Sequence, residues 1–414
     1  NFNSDHNEWL MNYRNNNLFI ENVSAQKIAK KFGTPSYCYS LNKIKLNIRN
    51  FKKKFRSINP LVCFAVKSNS NIQILKEIKK MNMGADVVSK GELLLALKAG
   101  INKKKIVFSG VGKNHEEIQL AINKNILLIN AESESEIDLI QKIAKIKNKK
   151  ISIGIRLNPN IDSRSIRKIS TGKKDDKFGL TEKNFLKIVK KYKTSKHLNI
   201  KCLSVHIGSQ ITSYKPYEKM LKVIKSVIKR SNHNFDYIDL GGGMGIKYNN
   251  DTKIFNYNKY NSILKKFLMS HKAKIIFEPG RSIVGDAALL LTKILYIKKA
   301  NKINFIILDA AMNDFMRPAL YGSTHRIVAF KKNKKIIKKR HEFVGPICET
   351  TDKFLSIPKF QMLNEKDCLA ICDVGAYGMV LSSNYNLRAK PSEILINKSS
   401  LKVITKRQKL INII

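Results

Sequence analysis

Eight short apolar runs alternate with eight helical patterns across the first two thirds of the chain, and this alternation constrains the fold more than any other feature. The runs are rich in Val, Ile and Leu, which is typical of parallel strands covered on both faces. Eight strand and helix pairs over roughly 250 residues predict an α/β fold, a (β/α)₈ barrel. A doubly wound open sheet is the alternative that the pattern leaves open. The apolar runs are Leu61–Val66, Gly84–Val88, Ile106–Ser109, Leu127–Asn130, Ile151–Leu157, Leu203–Ile207, Tyr237–Leu240 and Lys274–Phe277.

Residues able to do chemistry stand at the ends of several of these runs. Lys67 ends the first, His206 ends the sixth, a glycine run at 241–245 follows the seventh and Glu278–Arg281 follows the eighth. Active sites of such barrels lie at the C-terminal ends of the strands, so these residues are predicted to meet at one rim. Each is a weak signal alone, because a strand-end lysine is usually a solvated charge and three glycines are usually a turn.

Together the rim residues suit a phosphorylated aromatic aldehyde. A lysine amine can form a Schiff base with a carbonyl, and a glycine loop offers backbone N–H groups to a phosphate. An imidazole can lie against a planar ring, and a carboxylate can hold a pyridine nitrogen protonated. Pyridoxal phosphate meets all four requirements.

At this point the chain resembles a known family, the diaminopimelate decarboxylases, which are barrel-type pyridoxal-phosphate enzymes that share the alanine racemase fold. The resemblance runs from about Thr34 to about Tyr385. Three segments are shared with ornithine and arginine decarboxylases, namely Phe64–Lys67, Ser204–Gln210 and Glu278–Arg281. Two others, Asn313–Tyr321 and Gly345–Asp352, point to the diaminopimelate enzymes. One departure is Thr350, where the family usually has Ser. The segments are Phe64–Lys67, Ser204–Gln210, Glu278–Arg281, Asn313–Tyr321, Gly345–Asp352 and Asp373–Gly378.

The resemblance implies roles at the cofactor. Lys67 would hold pyridoxal phosphate covalently, His206 would stack on its ring and Glu278 would face the pyridine nitrogen. Tyr377 would touch both cofactor and substrate. Gly243 and the backbone of Glu278 to Arg281 would hold the phosphate. The remaining cofactor-binding residues would be Ser209, Gly242, Gly280 and Arg281.

The resemblance also implies roles toward the substrate. Arg281, Arg317 and Tyr321 would bind a substrate carboxylate, since a guanidinium meets a carboxylate with two parallel hydrogen bonds. Glu349 would take the distal ammonium. Cys348 would be the proton donor after decarboxylation, so the catalytic residues would be Lys67, His206 and Cys348. Without the surrounding motif, Cys348 would be read as a buried structural thiol.

After Arg281 the pattern changes to β-rich segments with little helix beyond a short piece near Asp352–Leu355. This predicts a second, mainly antiparallel β domain, to which the segment before about Asn22 contributes a strand. We therefore predict a barrel domain at 25–283 and a β domain formed by 1–24 and 284–414.

The charge of the chain is unusual. Lys and Arg total 78 against 31 Asp and Glu, a formal net charge of +47. Such an excess ordinarily suggests a nucleic-acid partner. Here the excess is mostly Lys, is spread along the chain and accompanies abundant Asn and Ile, so we interpret it as compositional drift and expect no nucleic-acid partner.

The cysteines and the apolar segments predict the compartment. Six cysteines lack Cys-x-x-Cys spacing and neighbouring His clusters, so neither a metal site nor a disulfide framework is indicated. No apolar h-region or membrane-length segment is evident. We expect a cytoplasmic enzyme without a membrane partner, and the resemblance implies a homodimer with shared active sites.

The resemblance thus predicts decarboxylation of meso-2,6-diaminopimelate to L-lysine, the last step of lysine biosynthesis. A sister decarboxylase that acts on ornithine, arginine or carboxynorspermidine is the first alternative. A basic nucleic-acid-binding protein on an enzyme scaffold is the second, but it leaves the motifs unexplained.

Overall fold

The computed structural model describes residues 10–163, 171–173, 176–249 and 251–414. The chain divides into two compact units. One, which we call the barrel unit, comprises Ile48–Ile246 and Lys253–Ser282. The other, the β unit, comprises Asn1–Asn47, Lys247–Thr252 and Ile283–Ile414.

The described strands follow one another along the whole chain. In order they are β1 (Met11–Arg14), β2 (Asn17–Ile20), β3 (Val23–Ser24), β4 (Ser36–Ser40), β5 (Leu61–Ala65), β6 (Gly84–Val87), β7 (Ile106–Phe108), β8 (Leu128–Ala131), β9 (Ile151–Arg156), β10 (Leu198–Ser204), β11 (Tyr237–Asp239), β12 (Lys274–Phe277), β13 (Ala288–Lys299), β14 (Ile303–Leu308), β15 (Ile327–Ala329), β16 (Ile336–Ile337), β17 (Arg340–Val344), β18 (Lys353–Ile357), β19 (Phe360–Gln361), β20 (Cys368–Cys372), β21 (Ser392–Asn397) and β22 (Ser400–Thr405).

The described α-helices are concentrated in the barrel unit. They are α1 (Ala25–Phe32), α2 (Leu41–Lys54), α3 (Ile72–Lys80), α4 (Lys90–Lys98), α5 (His115–Lys124), α6 (Glu134–Ile146), α7 (Glu182–Tyr192), α8 (Lys215–Ser231), α9 (Tyr257–Leu268), α10 (Arg281–Val284) and α11 (Arg317–Tyr321). Several begin at polar caps. Asn114 forms a reciprocal capping box with Glu117, and the Ser133 hydroxyl accepts a hydrogen bond from the Glu136 amide.

The barrel unit is built on a closed sheet of eight parallel strands. The sheet order is β10-β11-β12-β5-β6-β7-β8-β9, and β9 pairs with β10 to complete the circle. Closure confirms the predicted (β/α)₈ barrel and excludes the open doubly wound sheet. Each predicted apolar run overlaps one of these strands.

The sixth strand differs most from its prediction. β10 runs over Leu198–Ser204, so His206 lies in the loop beyond the strand and not at its end. The reason is the ladder with β9, whose last pair joins Ser204 to Arg156. The first residues of β10 pair with β9, although Asn199 and Lys201 interrupt the apolar pattern there. The predicted run therefore misses the start of the strand.

Small residues allow close packing inside the barrel. Cys63 and Cys202 belong to a buried cluster between the strands, together with Val107, Leu128 and Ile276. A Cβ on Gly84 would lie 2.0 Å from the Lys105 carbonyl oxygen, so no residue with a side chain fits at this position.

The β unit holds the predicted second, mainly antiparallel domain. Its nine-stranded sheet has the order β18-β17-β14-β13-β4-β21-β22, and β20 joins β13 to β15. The longest strand, β13, pairs with β4, β14 and β20. This long central strand gives the sheet most of its continuity.

One local prediction in the β unit is wrong. The short helix near Asp352–Leu355 is replaced by strand β18, because the ladder to β17 satisfies its backbone groups. The segment before Asn22 contributes strands β1 and β2 to the β unit, where they form a three-stranded sheet with β3. Residues 1–9 of that predicted segment lie outside the described residues.

The predicted domain limits and the compact units differ at the N-terminal side. The predicted barrel begins at residue 25, whereas residues 25–47 fall in the β unit. The physical reason is β4, which lies between β13 and β21 in the large sheet.

Within the described ranges, no helix combines the length and apolar character needed to cross a membrane.

Candidate active site

The amine of Lys67 lies at the rim of the barrel, just after β5. Lys67 is in the short turn Val66–Ser68, and its Nζ lies 3.0 Å from Oδ2 of Asp86, at β6. The Lys67 side chain is 37% exposed, whereas that of Asp86 is fully buried. The second Asp86 oxygen has no hydrogen-bond partner among the described residues. The amine is therefore held by a buried carboxylate while it remains accessible to a ligand.

Two further buried carboxylates lie at the same end of the barrel as Asp86. Glu278 follows β12 and Asp239 ends β11. Burial raises the pKa of Glu278 well above its usual value, and the charges of Asp239 and Asp86 raise it further. Burial also raises the pKa of Asp239 to about 6. One oxygen of Glu278, Oε1, has no hydrogen-bond partner within the described part of the chain.

The glycine run forms a tight backbone loop against His206. Gly241 and Gly243 have φ values of +63° and +90°, which favour glycine. The amide of Gly242 donates to Nδ1 of His206 at 3.3 Å, and a Cβ on Gly241 would lie 2.4 Å from that atom. Burial lowers the pKa of His206 well below its usual value, with the positive charges of Lys67 and Arg156 as further causes. His206 is therefore neutral at physiological pH.

Ser209 and Arg281 meet beside this loop. Arg281 is 4% exposed and donates from Nη2 to Oγ of Ser209 at 2.9 Å. Gly280 precedes it, and a Cβ there would lie 2.7 Å from Oγ of Ser68. The predicted rim residues all come after strands, at the same end of the barrel. They are Lys67, His206, Ser209, Gly242, Gly243, Glu278, Gly280 and Arg281.

The predicted carboxylate-binding residues of the β unit share one short helix. Arg317 begins α11 and Tyr321 ends it, and the Arg317 guanidinium lies 5.9 Å from the Tyr321 ring. Arg317 is only 2% exposed. Its Nε donates to Nε2 of His325 at 3.4 Å, and its guanidinium lies 5.0 Å from the ring of Tyr248.

Cys348 and Glu349 lie in the loop between β17 and β18, and both are exposed. Oε1 of Glu349 accepts a hydrogen bond from the Tyr385 hydroxyl at 2.5 Å, and Oε2 accepts one from the Thr351 hydroxyl at 3.1 Å. The predicted proton donor and ammonium ligand are therefore adjacent on an exposed loop of the β unit. The alternative, a buried structural Cys348, does not hold.

Tyr377 follows β20 in a turn, between Gly375 and Gly378. Its φ is +54°, an uncommon value for a large side chain, and the residue is partly buried. Nearby, burial raises the pKa of Asp373 to about 7, and Arg326 lies 3.6 Å from it as an ion-pair partner. The structure thus places Tyr377 in a constrained backbone position.

Several residues of these clusters are absent from the sequence predictions. In the barrel unit they include Asp86 and Asp239, which lie within predicted strands and not after them, so the rule that selects Lys67 passes over them. In the β unit His325 accepts a hydrogen bond from Arg317, and the Asp352 amide donates to the Glu349 carbonyl. His325 lies outside the family segments, and Asp352 ends one of them without a predicted role.

Comparison with known proteins agrees with this geometry. A family described as pyridoxal-dependent decarboxylase, pyridoxal binding domain, matches residues 41–285. The chain belongs to this family of pyridoxal-dependent decarboxylases.

Similarity to individual proteins is more specific. The chain is 40% identical over 404 residues to diaminopimelate decarboxylase of Aquifex aeolicus, with 96% of this chain and 95% of that protein covered. The crystal structure of diaminopimelate decarboxylase from Helicobacter pylori complexed with L-lysine has 39% identity, a TM-score of 0.88 and coverage of 94% and 97%. The M. jannaschii enzyme in co-complex with L-lysine has 33% identity, a TM-score of 0.92 and coverage of 98% and 96%. Within its family the chain therefore belongs to the diaminopimelate decarboxylases.

The rim residues fit pyridoxal phosphate, the cofactor of this family. The unpartnered Oε1 of Glu278 suits a ring N–H, because a buried acceptor without a partner is costly. The glycines from 241 to 243 carry no side chains, so a phosphate can approach the backbone there without obstruction. The Lys67 amine suits a carbonyl carbon.

Proposed function

We propose that the chain decarboxylates meso-2,6-diaminopimelate to L-lysine and carbon dioxide, the last step of lysine biosynthesis. The observation that carries this proposal is the buried guanidinium of Arg317 with Tyr321 on the same helix. Diaminopimelate has a carboxylate at its distal end, which a guanidinium binds with two parallel hydrogen bonds. Ornithine and arginine lack that carboxylate and would call for acidic groups instead.

The proposed cofactor roles follow from the rim. Lys67 would attach the cofactor, His206 would contact its ring, and Glu278 would hold a proton at the ring nitrogen. The raised pKa of Glu278 supports this role, since the carboxyl carries a proton that a basic nitrogen at Oε1 can take. Ser209, Gly242, Gly243, Gly280 and Arg281 hold the phosphate.

When bound, the cofactor supplies an electron sink for the charge left on the substrate α-carbon as carbon dioxide departs. The chain must then return a proton to that carbon. We assign this proton to the thiol of Cys348, while Glu349 holds the distal ammonium. Arg281 and Tyr377 contribute further contacts, Arg281 to a carboxylate and Tyr377 to both ligands.

A substrate comparison tests this function. Purified protein loaded with pyridoxal phosphate is given meso-diaminopimelate, ornithine, arginine or carboxynorspermidine, and carbon dioxide and amine products are measured. We expect turnover of diaminopimelate with L-lysine as product and little turnover of the others. Faster decarboxylation of ornithine, arginine or carboxynorspermidine would assign the chain to a sister activity.

Arg317→Lys is expected to weaken substrate binding by roughly 1–3 kcal/mol, the range for loss of a charge-assisted hydrogen bond. Lysine keeps the charge but cannot make two parallel hydrogen bonds. The KM for diaminopimelate and the inhibition constant of L-lysine, which keeps the distal carboxylate, should both rise.

Two controls accompany this variant. Cadaverine lacks both carboxylates and should bind wild type and Arg317→Lys alike. Arg340→Lys, at an arginine whose side chain is 52% exposed on β17, should leave KM unchanged. An unaltered KM and kcat in Arg317→Lys would remove Arg317 from the substrate ligands.

We further propose that the working unit is a homodimer whose active sites are each built from two chains. The exposure of Cys348 and Glu349 supports this arrangement. A site closed to bulk water prevents unwanted protonation of a reactive carbon. A second copy that receives this loop would exclude water, and two-fold symmetry would form both sites at once.

We also propose that the enzyme is cytoplasmic and that its partners are small amino acids rather than nucleic acid. Six free cysteines support a reducing compartment. The positive charge is distributed over both units, whereas nucleic-acid binding usually uses a concentrated basic face.

A further inference from the structure

The side chain of Asp352 joins two segments of the β unit that lie far apart in sequence. Its Oδ2 accepts a hydrogen bond from the Ile347 amide at 2.8 Å, and its Oδ1 accepts one from the Met312 amide at 2.7 Å. Asp352 is 2% exposed. The carboxylate is therefore a buried link between the loop after β17 and the segment that leads to α11.

The backbone of Asp352 closes the same loop. Its carbonyl accepts from the Gly345 amide at 3.0 Å, and its amide donates to the Glu349 carbonyl at 3.1 Å. A Cβ on Gly345 would lie 2.3 Å from Oδ2 of Asp352, so glycine leaves the carboxylate its place. The loop that carries Cys348 thus closes on one residue.

The two linked segments differ in burial. Most residues from 346 to 351 are exposed and belong to no strand. By contrast Asn313, Asp314 and Phe315 are at most 1% exposed, and the Ala311 amide donates to Asp314 at 2.9 Å. The side chain of Asp352 therefore connects an exposed loop to a buried, internally hydrogen-bonded segment. It does so by accepting from the Ile347 amide and from the Met312 amide.

We propose that Asp352 is a positioning residue for the decarboxylation, whose carboxylate fixes the place from which Cys348 and Glu349 act. This inference rests on the roles proposed for those two residues. A reacting group must be held within a fraction of an ångström of its productive position, and an exposed loop without such a link samples many positions.

The chemistry of the link requires both carboxylate oxygens. Each faces one backbone N–H, and the Ile347 amide would otherwise be a buried donor without an acceptor. Asparagine has nearly the same shape but keeps only one acceptor and turns an NH₂ group toward the other donor. Asp352→Asn therefore removes one hydrogen bond with little change in volume.

The test uses Asp352→Asn in the full-length enzyme loaded with pyridoxal phosphate. We expect the visible absorbance of the cofactor to be unchanged, because the rim residues are intact. We expect kcat on meso-diaminopimelate to fall by about tenfold or more. Hydrogen exchange should speed up at Ile347 and Met312, and the rate at which iodoacetamide alkylates Cys348 should change severalfold.

Asp367→Asn is the matched control. Asp367 also caps a turn of the β unit, where the Asn364 amide donates to its Oδ2 at 2.8 Å. This hydrogen bond lies outside the loop of Cys348, so kcat, the Cys348 alkylation rate and exchange at Ile347 and Met312 in Asp367→Asn should equal those of wild type. Any general effect of losing a turn-capping carboxylate would appear in this variant.

Gly345→Ala disturbs the same link from the other side and decides the matter if Asp352→Asn does not fold. It should lower kcat and alter Cys348 alkylation in the same direction. The proposal is overturned if a folded Asp352→Asn or Gly345→Ala protein keeps wild-type kcat and alkylation, or if only exchange at Met312 changes. A wild-type enzyme inactive on diaminopimelate would refute the proposed function instead, while exchange and alkylation would still test the link.

Discussion

Replacing Lys67 with alanine is expected to abolish the visible absorbance of bound cofactor and to lower turnover of diaminopimelate by roughly 10³-fold or more. The physical reason is that a covalent attachment needs an accessible amine at the rim. Lys67 offers one, since its side chain is 37% exposed while its Nζ forms an ion pair with Asp86. The measurements are an absorbance scan of the purified variant and a carbon dioxide assay.

Lys113 also lies near this rim, but it is unsuited to replace Lys67. Its Nζ donates to the carbonyls of Gly110 and Asn130 at 2.6 and 2.8 Å, and it forms an ion pair with Glu136 at 2.7 Å. An ammonium that is 1% exposed and satisfied by three acceptors has no lone pair to offer. We therefore do not expect Lys113 to attach the cofactor in Lys67→Ala.

Two variants separate attachment from charge. Lys67→Arg keeps a cation beside Asp86 but has no nucleophilic amine, so it should fold and remain inactive. Lys90→Ala removes a lysine whose ion pair with Glu116 is exposed, and activity should be unchanged. If Lys67→Ala retained both the absorbance band and normal turnover, another group would have to hold the cofactor.

The barrel could be predicted from sequence because its signal is local. Strands such as β5 and β12 are continuous apolar runs, and helices such as α5 carry their own cap at Asn114. β4 gives no such signal: it is five residues long, and it is a strand because it pairs with β13 some 250 residues away. The predicted helix at β18 is a strand for a more local reason, because it pairs with the preceding strand β17.

The site could be predicted where a residue acts by its own chemistry and position. Lys67, Glu278 and Arg317 have functional groups that the rim and the family motifs bring forward. Asp352 and His325 were missed because they act on neighbours, through hydrogen bonds whose partners are not close in sequence or are backbone groups. The same physical limit explains Asp86, whose relation to Lys67 depends on the pairing of β5 with β6.

Mixing inactive Lys67→Ala protein with inactive Cys348→Ala protein is expected to restore about a quarter of wild-type activity. In the proposed dimer, each site combines a barrel unit from one chain with the loop of Cys348 from the other. Random exchange of equal amounts puts half of the dimers in the hybrid form, and each hybrid has one site with both native residues. Activity of the mixture is measured after exchange is verified by native mass spectrometry of differently tagged chains.

The decisive control is a mixture in which both changes lie in the barrel unit. Lys67→Ala and Glu278→Gln cannot complement each other, because every site draws its barrel from a single chain that lacks one of the two residues. That mixture should stay at the level of the single variants while the first recovers. Recovery in both mixtures, or in neither after proven exchange, would rule out sites shared in this way, since only a division between barrel and loop produces the asymmetry.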